Sequence, residues 1–148
     1  MMILEIVSVV LAGLLAGIEF IVRWGVQPAL SALEDRPHLA ARQSLIKRLR
    51  ILVPAIGLPA AILAIVAAIV GTSSDGSLLR WLGAGFLVVF FGIAFGGTVP
   101  INIKVDAWSL DAPPADWKDV IRRWQAIDVF RSTAALVAFV LLVVALTQ

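Results

Sequence analysis

The sequence predicts an all-α membrane protein: a four-transmembrane-helix bundle in which an amphipathic cytoplasmic helix continues into the fourth span. Three observations carry that prediction. Of the 148 residues, 61% are hydrophobic and only 15% are charged, with a mean hydropathy of +1.00, whereas a soluble domain averages about half apolar and a quarter charged. The apolar residues fall into four runs, at 3–24, 51–71, 78–101 and 129–146, each long enough to cross roughly 30 Å of hydrocarbon. Between the third and fourth runs lies a polar island rich in Trp, from Thr98 to Arg131. The length suits a single transmembrane domain over residues 1–148.

Composition also excludes several chemistries. With no Cys and no Tyr, the chain offers no disulfide, thiolate nucleophile, Cys-held metal or phenol. The net charge of +2 and pI near 9.7 come from cations placed between apolar runs. That pattern reads as membrane topology rather than as a basic face for nucleic acid.

The first span, 3–24, has no Lys or Arg before it and no small-residue cleavage site after it, so it reads as a retained helix rather than a signal peptide. Helical spacing from Glu5 puts Ser8, Ala12, Ala16, Glu19 and Arg23 on one face, a stripe of small and polar residues suited to close helix contact. Gly13 and Gly17 add a G-x-x-x-G pattern beside it. Gln27-Pro28 is expected to stop this helix, leaving Gly25 to Arg50 as a polar connection in which Ala40 to Arg50 is helical and basic.

The second span, 51–71, contains Pro54 and Pro59, which a membrane helix tolerates when neighbours satisfy the freed carbonyls. Gly71 to Ser77 is a short turn. The third span, 78–101, is aromatic, with Gly92 and Gly96 spaced for close packing. From Ala115 the amphipathic helix runs without a breaker into the fourth span, 129–146. All Lys and Arg except Arg80 flank or lie in the first and third connections. The positive-inside rule puts those connections in the cytoplasm and both termini outside, as in an integral protein of a bacterial inner membrane.

Depth along each helix, at about 1.5 Å per residue, brings three places level with one another: Glu19 and Arg23, Asn102 and Asp106, and Asp128 and Arg131. On the last helix, Trp117, Ile121, Trp124, Asp128 and Arg131 fall within roughly 40° of one line, so an acid and a base are delivered onto an inward stripe. Ionisable groups placed so in a membrane are a site hypothesis by default. Asp128, Glu19, Arg131 and Asn102 are the candidate catalytic residues, and Arg23, Asp106, Trp108 and Trp124 the candidate substrate-binding ones.

Each group also has a structural reading. Glu19 and Arg23 are spaced i,i+4 for an ion pair, and Asp128 and Arg131 could be interhelical glue or could snorkel to the interface. Asn102 could cap loosened backbone after Pro100. Glu5 and the Trp residues read as interfacial, His38 as plain surface, and the glycine pairs as packing. No Ser-His-Asp set, H-E-x-x-H or phosphate loop is present, and the single His leaves no two-histidine site. Nothing in the spacing of Glu19, His38 and Asp128 predicts a metal, so no metal or cofactor is expected.

The segments A-G-I-E-F-I-V-R-W-G-V-Q-P-A-L, R-Q-S-L-I-K-R-L, V-P-I-N-I-K-V-D-A-W, P-P-A-D-W and R-R-W-Q-A-I-D-V-F-R together resemble the anthrone-oxygenase-like family of small four-span membrane proteins. The resemblance covers nearly the whole chain. Its most specific parts are P-x-N at Pro100 to Asn102 and the Trp124 to Arg131 spacing; Asp128 stands where family sequences often carry His or Asn. It implies oxidation of an anthrone to an anthraquinone by dioxygen without an evident cofactor, as in fungal polyketide-tailoring members. A desolvated carboxylate, Asp128 or Glu19, would then take a proton. Arg131, Arg23 and Asn102 would stabilise the enolate oxygen, and Trp108 and Trp124 would wall a fused ring.

The leading expectation is therefore a cofactor-independent oxygenase acting on a hydrophobic aromatic or polyketide-like molecule, with dioxygen and membrane lipid as its other partners. A non-enzymatic bundle binding lipid or a partner protein is the alternative, and a small transporter the third reading. A transporter would require a polar path to the outer face, where the spans offer mainly Ser8 and Glu5. Substrate and oligomeric state are not legible.

Overall fold

The computed structural model describes residues 1–71 and 75–148. Residues 72–74 of the turn expected at Gly71 to Ser77 lie outside the described residues. The described residues form helices and no strands: α1 (Met2–Ile21), α2 (Gln27–Ser31), α3 (Asp35–Val70), α4 (Ser77–Ile93), α5 (Val99–Asp106) and α6 (Trp117–Leu146). α1 packs against α3 and α6, and α4 packs against the same two helices. The bundle is thus a ring in the order α1, α3, α4, α6. Four stretches, Met2–Ser31, Asp35–Val70, Ser77–Asp106 and Trp117–Leu146, are long and apolar enough to cross a membrane. The chain is an integral membrane protein built as a four-helix bundle, as its composition predicts, and Ile6, Val10, Leu14, Ile62, Val88 and Phe130 are among the large side chains exposed on its outside.

The expected stop at Gln27-Pro28 is not there. A π-helical turn, Val22–Val26, links α1 to α2, and Pro28 falls in the first turn of α2. A second π-helical turn, Ala94–Thr98, links α4 to α5, with Pro100 placed the same way. Proline lacks an N–H and its ring clashes with the carbonyl four residues back. Widening the turn just before it, so that Gln27 N–H reaches Val22 O and Val99 N–H reaches Ala94 O, lets the helix pass the proline instead of ending. Thr98 Oγ1 also donates to Ala94 O at 3.3 Å. The polar connection expected over Gly25 to Arg50 accordingly shrinks to residues 32–34, because α3 already begins at Asp35. Pro54 and Pro59 lie inside α3 without interrupting it.

Small residues set the helix spacing. Ser8, Ala12, Ala16 and Glu19 are buried on α1, facing Ala60, Ala61, Ala64, Ala67 and Ala68 of α3 and Ala134, Ala135 and Ala138 of α6. Close approach of this kind replaces the hydrophobic drive that lipid cannot supply. The glycines that permit it are Gly13 against Phe139, Gly57 against Phe91, Gly83 against Leu142 and Gly97 against Ile127. Gly92 and Gly96 face open space, as does Gly17, so the packing role expected of that pair falls to Gly83 and Gly97 instead. The residues on the helix face turned to the bundle decide this, not the four-residue spacing.

Two buried clusters follow. The larger surrounds Ala12, Leu15, Ala60, Leu87, Phe90, Ala135, Ala138 and Leu142. The other gathers Val22, Leu39, Ile101, Val105, Trp117, Ile121 and Trp124 beneath the α5–α6 connection. Far from that connection, Arg80 Nε donates to Glu5 Oε1 at 2.7 Å, their side chains 8% and 13% exposed. Glu5, expected at the interface, turns inward because Arg80 offers it a partner there.

Candidate functional site

Where the two clusters meet, α6 carries Asp128 and Arg131 inward, as their 100° spacing from Trp117 predicts. Arg131 Nε and Nη2 donate to Asp128 Oδ1 at 3.0 and 2.8 Å, and Nη2 lies 2.9 Å from Glu19 Oε2. Glu19 and Asp128 are 1% and 2% exposed. The guanidinium also sits over Phe90 at 5.5 Å and Trp124 at 5.7 Å. One cation thus holds two carboxylates from two helices in an apolar layer. The i,i+4 pair expected between Glu19 and Arg23 does not form: Arg23 lies over Trp24 and donates to Ser132 Oγ at 3.2 Å and Thr133 Oγ1 at 3.1 Å.

Beside this layer is a cavity of about 420 Å³, bounded by α3, both π-helical turns, α5 and α6, within the usual range for small-molecule sites. Phe91, Phe95, Val53, Pro54 and Val99 form apolar walls, and Gln27, Arg42, Asn102, Asp106, Trp124 and Arg131 supply the polar groups. Of the expected site residues, Arg131, Asn102, Asp106 and Trp124 therefore line one space. Glu19 and Asp128 sit behind Arg131 and do not line it, nor do Arg23 and Trp108; Trp108 packs against the cluster under the connection.

The bordering segment α5 is held from α3. Gln43 Nε2 donates to Val105 O at 2.9 Å, which also accepts from Trp108 N–H at 3.2 Å, and to Trp108 O at 3.0 Å, so a side chain of α3 supports the end of the helix. Lys47 and Arg50 approach Asp106 at 3.6 and 3.8 Å. Arg36 with Asp111 and Lys118 with Asp35 tie down the connection and the start of α6, though exposed pairs of this kind contribute little individually.

Three further residues belong to the site and were not among the expected ones. Arg42 is 3% exposed, donates to Gln27 Oε1 at 2.6 Å and to His38 Nε2 at 3.2 Å, and lies over the Trp124 ring at 5.5 Å. His38 is buried rather than at the surface, edge-on to Trp117 at 5.3 Å. The signal was available. Arg42 stands on the stripe Leu39, Arg42, Ile46, Leu49, Val53, whose other members are apolar, so a helix there must turn it inward. Among the described residues, no three His, Asp or Glu side chains gather as a metal-binding group.

A family model described as anthrone oxygenase matches residues 43–141. No curated protein and no solved structure matches the chain. The matched region holds α4, α5 and nearly all of α6, with Asn102, Asp106, Trp124, Asp128 and Arg131; Gln27 and Arg42 precede it.

Proposed function

The chain belongs to the anthrone oxygenase family, and from that premise we propose that it is a cofactor-independent membrane oxygenase acting on a hydrophobic aromatic molecule held in the cavity. The observation that supports this most is the cavity's lining: apolar and aromatic walls together with Arg131, Asn102 and Asp106. Such a wall orients a fused aromatic ring, and the polar groups meet its oxygens.

The chemistry asks little of the protein. Removing a proton from the ring CH2 that lies across the central ring from the ketone, and is conjugated with it, leaves an electron-rich enolate. Dioxygen takes up its electrons and bonds to that carbon, and return of a proton gives a hydroperoxide. Loss of water then leaves a second carbonyl, so one oxygen atom is retained and the other departs as water. Among the described carboxylates only Asp106 lines the cavity, which favours it over Glu19 and Asp128 as the proton acceptor. Arg131 and the Asn102 amide would stabilise the enolate oxygen, with Glu19 and Asp128 fixing the guanidinium. By the positive-inside rule the cavity end of the bundle is cytoplasmic, and lipid would concentrate an apolar substrate and dioxygen alike.

The mutual ion pairing of Glu19, Arg131 and Asp128 favours a second reading for that trio, in which it is interhelical glue in a non-catalytic bundle. Purified protein in lipid nanodiscs, given an anthrone under oxygen, separates the two. Turnover by wild type that Asp106→Asn and Arg131→Ala lose, with Asp106→Asn still stable, supports the oxygenase. Wild-type turnover no faster than that of the variants refutes it.

A further inference from the structure

The polar groups of the cavity are unequal in sign. Arg42 is a buried guanidinium whose hydrogen-bond partners are both neutral, the Gln27 amide oxygen and His38 Nε2. Glu19 and Asp128 would balance its charge formally, but both make their contacts to Arg131, and Asp106 is approached by Lys47 and Arg50. No carboxylate among the described residues forms an ion pair with Arg42. Taking a cation out of water without a counterion is costly.

Two more donors stand beside it. Gln27 Nε2 and Trp124 Nε1 are buried and donate to nothing, each in a residue 6% exposed that lines the same cavity. Buried N–H groups ordinarily find an acceptor. A guanidinium with no carboxylate in direct contact and two N–H groups lacking acceptors, on α3, α2 and α6, thus border one space. Phe91, Phe95, Val53 and Val99 line the same space.

We propose that this end of the cavity is an oxyanion site formed by Arg42, Gln27 and Trp124, and that its ligand is an apolar, ring-bearing body carrying a carboxylate, phenolate or enolate oxygen. It rests on the cavity's role as a ligand site in the preceding reading, and it deepens that reading by naming the substrate's charge. Charge-assisted hydrogen bonds to an oxyanion satisfy all three donors at once. Gln27 has the further role of aiming Arg42, since its amide oxygen accepts from the guanidinium while its NH₂ remains for the ligand. The phosphate of an anionic lipid headgroup shares this chemistry.

The test is equilibrium binding by fluorescence, with protein in phosphatidylcholine nanodiscs and two probes: 9-anthracenecarboxylate and its neutral counterpart 9-anthracenemethanol. Wild type is expected to bind the carboxylate about ten-fold or more tightly than the alcohol, a difference of about 1.4 kcal/mol. Arg42→Gln is expected to bring that ratio to about one with the alcohol's Kd within about two-fold of wild type, whereas Arg42→Lys keeps a preference. A wild-type ratio near one overturns the proposal whatever the variants do, and so does a preference that survives Arg42→Gln. Adding phosphatidylglycerol to the discs separates the sources: displacement of the bound carboxylate assigns the oxyanion to lipid, and undiminished binding assigns it to a free aromatic acid. The assay contains no oxidation step, so its failure and the failure of turnover are read separately.

Discussion

Arg131 of α6 reaches Glu19 of α1 at 2.9 Å while holding Asp128 of its own helix at 2.8 Å, and all three side chains are buried. Removing the cation leaves two buried carboxylates with no ion-pair partner among the described residues. Removing one carboxylate leaves Arg131 with the other. Arg131→Ala is therefore expected to destabilise by about 3–5 kcal/mol, and Glu19→Gln by clearly less. Denaturation in mixed detergent micelles measures both; equal losses would mean that Asp128 does not hold the guanidinium by itself.

Gln43 is a smaller but sharper case. Its one amide nitrogen donates to two carbonyls, Val105 O and Trp108 O; Val105 O also accepts from Trp108 N–H, so Gln43→Leu strips Trp108 O of this donor at the end of α5. A loss of about 1–3 kcal/mol is expected, together with faster amide hydrogen exchange at Ala107 and Trp108 than in wild type. Exchange unchanged at those residues would show that the connection is held by its ion pairs instead.

Much of this architecture is legible in the sequence, and the limits have physical causes. Four spans and a long last helix follow from hydropathy, because lipid admits few other solutions. The inward stripe of α6 follows from Trp117, Ile121, Trp124, Asp128 and Arg131 alone. Pro28 misled because a proline reads as a stop, and the π-helical turn that carries the helix past it leaves no compositional mark. Arg42 and His38 were hidden for another reason: in a basic, interfacial stretch a cation is ordinarily solvated, and only the apolar identity of Leu39, Ile46 and Leu49 around it signals burial. Which carboxylate reaches the cavity was beyond spacing, since the rise per residue brings Glu19, Asp106 and Asp128 to similar expected depths and says nothing of which side chains stand between each and the cavity.

The glycines give a paired test of that same point. A Cβ at Gly83 would lie 2.7 Å from Leu142 Cγ, an atom close to the α6 backbone with little room to yield. Gly83→Ala is expected to cost about 1–3 kcal/mol by overpacking. At Gly92 and Gly96 a Cβ meets nothing, so alanine there is expected to be neutral or to stabilise by up to about 1 kcal/mol through helix propensity. Melting temperatures in one detergent rank the three; destabilisation at Gly92 or Gly96 would reveal a close neighbour on that face.

Filling the cavity tests its use without touching a charge. Val99 lines it from the first turn of α5, directly after the π-helical turn, and is only partly buried, so a larger side chain there can grow into empty space rather than into packed atoms. Val99→Trp is expected to leave the melting temperature within a few degrees of wild type, as a cavity-directed substitution creates neither a void nor an unpaired polar group. Binding of both anthracene probes should fall by about ten-fold or more, because lost ring contact acts on each alike. That is the opposite signature to Arg42→Gln, which separates the two probes. If Val99→Trp melts like wild type and binds both probes undiminished, the ring does not lie between α3 and α5, and the aromatic-substrate reading of this cavity fails with it.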